Sequence, residues 1–106
     1  MEHKNYRVEI MQPAARKLSG HIAFLAQVSK VAATRLYDEI YTDMLGLEDQ
    51  PGKFARYISK RFPDRVLHRR PSGKRYWIIY EIQEEKSLVS IVDIQDCRQG
   101  EDKHLV

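Results

Sequence analysis

Cysteine is nearly missing from this chain of 106 residues: Cys97 stands alone. That excludes an internal disulfide and any multi-cysteine zinc site. No apolar run approaches the roughly 20 residues a membrane-spanning helix needs. The opening Met1-Glu2-His3-Lys4-Asn5 holds no apolar stretch of the signal-peptide kind. A cytoplasmic protein without a membrane partner is the expectation. Also absent are a glycine-rich phosphate loop, a Gly-x-Ser-x-Gly nucleophile turn and a His-Glu-x-x-His metal site. The sequence therefore calls for no cofactor and no metal. Repeats, low-complexity segments and internal linkers are not found. The length suits one domain with one core, spanning residues 1–106, with a polar tail that frays from about Gln99.

Acidic residues are scarce in one stretch. Between Lys53 and Arg75 stand Lys53, Arg56, Lys60, Arg61, Arg65, Arg69, Arg70, Lys74 and Arg75, opposed by Asp64 alone. The stretch carries +8 while the whole chain carries +3, so the remainder is mildly acidic. A concentrated cationic surface attracts polyanions, or an acidic protein segment, through Coulomb focusing and counterion release. A solvated basic face without a partner is the plain alternative. Packing half of all Lys and Arg into one short stretch disfavours it.

Hydrophobic periodicity supplies the elements. Tyr6, Val8 and Ile10 alternate with Arg7 and Glu9, which predicts a first strand over Tyr6–Met11. Pro13 suits the first turn of a helix, and Ala14, Ala15, Leu18, Ile22, Leu25 and Ala26 follow at helical spacing. Ser29 is a candidate N-cap for a second helix, whose inward face reads Ala33, Leu36, Tyr37, Ile40, Met44 and Leu47. That helix must stop before Pro51-Gly52. So short a gap between the helices predicts a hairpin. Lys53 to Asp64 shows no sustained period. Val66–Arg70 reads as a short strand, Pro71-Ser72-Gly73-Lys74 as a turn, Arg75–Gln83 as the clearest strand and Leu88–Ile94 as the last. Apolar residues on both faces of Arg75–Gln83 mark a central strand. The predicted order is β-α-α-β-β-β: an α+β fold with a helical hairpin packed on a small, mostly antiparallel sheet.

Candidate chemistry is sparse. His21 reads as a residue of the solvated side of the first helix, and His3 and His104 lie in terminal segments. His68 sits within the basic stretch beside Arg69 and Arg70, and an ordinary pKa near 6.5 suits it to proton transfer. A half-exposed strand histidine without a catalytic role is the plainer reading. Cys97 next to Arg98 has no evident base and reads as an exposed or structural thiol. Trp77 is expected in the core, whereas Tyr57 in the basic loop is the more plausible stacking aromatic, a packing role being its plain alternative. One metal-free reaction could use such residues: RNA cut by its own 2′-OH, with cations stabilising the phosphoryl oxygens. Arg65 to Arg75 plus Arg98 supply the cations; acids and bases are poorly supplied.

Several phrases, in order and at about the right spacing, resemble the RelE/ParE toxin superfamily across about Tyr6 to Gln99. They are Tyr6-Arg7-Val8-Glu9-Ile10 with Pro13-Ala14-Ala15-Arg16-Lys17-Leu18, then the Leu-x-x-x-Pro helix exit from Leu47 to Pro51. Tyr76-Trp77-Ile78-Ile79-Tyr80 and Val89 to Ile94 followed by Cys97-Arg98-Gln99 complete the set. The resemblance implies a toxin of a type II toxin–antitoxin pair with the superfamily's small α+β fold. It also implies a cognate antitoxin as partner, and either DNA gyrase or the ribosome and its mRNA as target. RelE-like members cut mRNA on the ribosome, whereas ParE-like members poison gyrase. Here Trp77 replaces the arginine that RelE-like members carry after the strand tyrosine, and no tyrosine follows Arg98. The helix exit and long hairpin look ParE-like, so the ParE reading is favoured. As a ribonuclease the chain would use His68 and Arg98. In either case Lys53, Arg56, Tyr57, Arg65, Arg69, Arg70, Lys74, Arg75 and Arg98 are the candidate target-binding residues. A binding module without toxicity on the same scaffold is the third alternative.

Overall fold

The computed structural model describes residues 5–97. A first strand, β1 (Arg7–Ile10), leads into α1 (Gln12–Ala26) and α2 (Lys30–Leu45). Four strands follow: β2 (Arg56–Tyr57), β3 (Leu67–Ser72), β4 (Tyr76–Gln83) and β5 (Leu88–Asp96). Pro13 occupies the first turn of α1, where a missing N–H breaks no helical bond. The Ser29 hydroxyl caps α2 by accepting from Ala32 N at 3.1 Å. Beyond α2 a short 3₁₀ turn over Gly46–Glu48 buries Leu47. Gln50 then takes a left-handed φ of 51° before Pro51.

The sheet order is β1-β5-β4-β3-β2. β1 runs parallel to β5, while the other neighbours are antiparallel. The α+β expectation holds, with a two-helix crossover carrying the chain from one sheet edge to the other. Two local readings need correction. The basic loop contributes a two-residue edge strand, β2, and β3 continues through Pro71 and Ser72 to a tighter turn. Proline is tolerated there for a geometric reason. Arg69 N donates outward to Ala55 O at 3.0 Å, so Pro71, two residues on, aims its nitrogen at the same edge, beyond the end of β2. The turn itself has Gly73 at φ 59° and Lys74 at φ 68°. A Cβ on Gly73 would lie 2.7 Å from Leu36 Cδ1, so this position needs glycine twice over.

Alternation along β4 builds two cores. Tyr76, Ile78 and Tyr80 meet the helical hairpin at Leu18, Leu36 and Ile40. Ile79 joins Tyr57, Leu67 and Val92 on the opposite face, with Phe62 and Trp77 packed alongside. A bulge between Ile79 and Tyr80 leaves Val92 without a partner on β4. It shifts the phase of β5, so that Ile91 and Ile94 both enter the helix-side core. All nine residues of β5 are buried, as expected of a strand covered on both faces.

Two side-chain placements differ from expectation. Tyr37, read as inward, is 44% exposed and stacks on Tyr41 with ring centroids 5.9 Å apart. His21, read as solvated, packs on Tyr76 with centroids 4.9 Å apart. It lies three residues after Leu18 and four before Leu25, which puts it on their face of α1.

Candidate functional site

β3 decides where the basic stretch points. Consecutive strand residues face opposite ways, and His68, Arg69 and Arg70 pair with Tyr80, Ile79 and Ile78 in turn. His68 and Arg70 therefore share the helix-side face, and Arg69 faces the other way. The single cationic surface expected from the sequence resolves into three separate groups.

The first group is on the helix-side face. Asp43 of α2 reaches β3, where its carboxylate accepts from the Ser72 hydroxyl at 2.7 Å and pairs with Arg70 at 3.3 Å. Arg70 also lies 4.5 Å over the Phe54 ring. These contacts hold Arg70 in the framework. His68 stacks on Tyr80, centroids 5.6 Å apart and planes within 20°. Its Nδ1 is buried without a hydrogen-bond partner among the described residues. Burial pushes the imidazole pKa below its ordinary value, and the Arg56 guanidinium pushes the same way. His68 is thus neutral at pH 7. Arg56 opposes His68 in the β2–β3 register and is exposed. Lys53 hovers 5.3 Å over Phe54. Below them the Tyr80 hydroxyl donates to the Pro51 carbonyl, which ties the Pro51–Lys53 turn to the sheet.

The second group faces away from the helices. Arg65 grips Glu81 with two bonds, at 2.6 and 3.4 Å. Arg61 at 3.2 Å, joined by Lys17 reaching over from α1 at 2.8 Å, holds the buried carboxylate of Asp93. Arg69 lies 4.1 Å over Trp77 and 5.1 Å over Tyr57. Most of these cations fasten the basic loop to the sheet. Tyr57 is buried, so its ring serves packing and the stack with Arg69. Trp77 is half-buried beneath Arg69, close to its expected packing role.

The third group is at the β3–β4 turn. Lys74 and Arg75 border an open cleft of about 520 Å³ whose walls include His21, Phe24, Leu36 and Asp96. The sequence reading missed this meeting of α1 with the turn; the spacing of His21 from Leu18 and Leu25 is the signal that could have shown it. Lys74 and Arg75 lie at the Tyr76 end of β4, whereas His68 faces Tyr80, four residues along. That is about 13 Å at strand rise. Arg98, the expected catalytic partner of His68, falls outside the described residues. Among the described residues no group of three potential ligands could hold a metal ion, and no helix is long and apolar enough to cross a membrane.

What the arrangement offers is one neutral imidazole, exposed cations on both sheet faces, and arginines committed to carboxylates. Comparison with known proteins gives this architecture a family. A search of curated protein sequences finds no match. Among solved structures, the chain is similar to one in the crystal structure of the toxin–antitoxin complex RelBE2 from Mycobacterium tuberculosis. The TM-score is 0.55 and the identity 19%, over 87% of this chain and 91% of that one, which is a likeness of fold. The family model for the ParE toxin of type II toxin–antitoxin systems matches residues 8–100. The chain, a helical hairpin on a five-stranded sheet, belongs to the ParE toxin family of type II toxin–antitoxin systems.

Proposed function

We propose that this toxin arrests growth by binding DNA gyrase in the cytoplasm, and that a cognate antitoxin neutralises it. The family match over residues 8–100 is the observation that carries this reading. The geometry supports it. A binding poison needs a shaped, charged surface and no convergent acid–base pair. Here Arg61, Arg65 and Arg70 already hold carboxylates, and His68 has one nitrogen buried and one ring face covered by Tyr80. Of the candidate target-binding cations singled out in the sequence, those without a carboxylate at ion-pair distance among the described residues are then the binding residues: Lys53, Arg56, Arg69, Lys74 and Arg75. Arg98 is proposed to join them. Induced alone in bacteria, the chain should stop growth with DNA breaks and an SOS response, and the purified protein should inhibit gyrase supercoiling. Co-expression of the antitoxin should restore growth. Abundant protein with unaffected growth would exclude toxicity and leave only a binding module.

A second reading, ribosome-dependent cleavage of mRNA, draws on one observation. His68 is held neutral beside Arg56, the state a general base requires. Primer extension after induction should then show new 5′ ends, and His68→Ala and Arg98→Ala should each remove them. Growth arrest without new ends would dismiss this reading.

A further inference from the structure

The edge of the sheet carries a feature that cation counting passes over. Ile58 is 84% exposed and Val66 is 55% exposed. The β2–β3 register pairs Arg56 with His68 and Tyr57 with Leu67. Ile58 and Val66 are the next residues outward, one on each chain segment. Tyr57 and Leu67 are buried in the core away from the helices, so alternation puts Ile58 and Val66 on the same side as Arg56 and His68. The result is a strip of two β-branched aliphatics continued by Arg56 and His68, with Lys53 and Phe54 nearby in the chain. β2 is two residues long and forms the sheet edge, so among the described residues no further strand covers this border. Exposed aliphatics at a sheet edge invite pairing with another chain.

We infer that the Ile58–Val66 edge, with Arg56, is a docking strip for an acidic segment of a partner protein that carries aliphatic side chains at alternate positions. A nucleic-acid backbone would use the cations but gain nothing from two branched aliphatics. A purely apolar partner would leave Arg56 desolvated and unpaired. An extended chain that carries two aliphatics and a flanking carboxylate at successive alternate positions satisfies both, because that single face sets apolar groups on Ile58 and Val66 while its carboxylate reaches Arg56. His68 in its neutral form adds no competing charge to this strip. The strip deepens the proposed toxin reading, on which its place in growth arrest rests, but docking itself is measurable on the purified chain.

The test uses the full chain and three fluorescent probes of equal length: a Glu–Val peptide with Val, Val and Glu at successive alternate positions and Thr between them, an all-Glu peptide and oligouridylate. The Glu–Val peptide should bind best by anisotropy at physiological salt. Ile58→Ser and Val66→Ser should each weaken it about tenfold, the order expected for losing most of one buried aliphatic. Arg56→Ala should weaken both peptides. Val28→Ser, at an aliphatic 79% exposed elsewhere, should change nothing, and all variants should keep the wild-type melting temperature. Equal binding of the all-Glu peptide, unaffected by Ile58→Ser, would reduce the strip to general polyanion attraction and overturn the inference. Preferential binding of oligouridylate would overturn it in favour of RNA, and no binding of the Glu–Val peptide would overturn it outright. Growth arrest on induction is read separately, so a failed strip and a failed toxin reading give different results.

Discussion

Removing one hydroxyl should show what holds the cationic segment in place. Tyr80 is fully buried on β4, and its OH donates to the carbonyl of Pro51. Tyr80→Phe keeps the ring, so the stack with His68 and the core contacts persist. What disappears is the donor, leaving the carbonyl of a buried proline without its partner. A buried acceptor stripped of its donor costs about 1–3 kcal/mol. In a domain of this size each kcal/mol lowers the melting temperature by roughly 4–8 °C. Urea unfolding should give a lower midpoint with an unchanged slope, because the surface exposed on unfolding is the same. Amides from Phe54 to Tyr57 should exchange faster, since the Pro51–Lys53 turn that leads into β2 is no longer tied to the sheet. A stability loss below about 0.5 kcal/mol, with protection of those amides unchanged, would refute the idea that this bond anchors the segment.

Three further outcomes follow from single sites. Ser29→Ala removes the cap on α2 and should cost about 0.5–2 kcal/mol by thermal melting. Gly73→Ala places a Cβ against Leu36 at a left-handed φ and should cost about 1–3 kcal/mol in urea unfolding. His68 has a folded-state pKa below its unfolded value of about 6.5. As pH falls below that value the unfolded chain takes up the proton first, so this site's contribution to stability is lost progressively until the folded-state pKa is passed. The wild type should therefore weaken more steeply than His68→Gln between neutral pH and about pH 5 in parallel denaturation curves.

The helices were legible because their signals are local. Pro13, Ser29 and the spacing of Leu36, Ile40 and Met44 are read within a few turns of chain. The meander was legible for the same reason, since alternating residues flank obvious turns. The place of β1 was not, because a parallel neighbour such as β5 lies far along the chain and leaves no turn signal between them. β2 is not legible in the sequence because two residues make no pattern. Pro71 reads as a turn residue in the sequence because its tolerance in β3 depends on where β2 ends, a fact of the whole sheet. His21 reads as solvated because a polar residue on an amphipathic helix ordinarily faces water. The Tyr76 ring offered it a packing partner that no local pattern contains.

The charge of the basic stretch shows how a correct count can mislead about a surface. Nine cations lie between Lys53 and Arg75, but a strand turns each neighbour to the opposite face, so His68, Arg69 and Arg70 cannot act together. The cations also differ in what they are free to do. Arg61, Arg65 and Arg70 hold Asp93, Glu81 and Asp43, and an arginine already committed to a carboxylate gives a target little unless that pair is broken. Arg56 and Arg69 are uncommitted to any described carboxylate, yet they sit beside different apolar groups: Arg56 beside exposed Ile58, Arg69 over half-buried Trp77. A partner that engages Arg56 can bury an aliphatic edge, whereas one that engages Arg69 meets an aromatic stack already filled. Of the two faces, the helix-side edge therefore offers a protein partner more new apolar contact for each cation it neutralises.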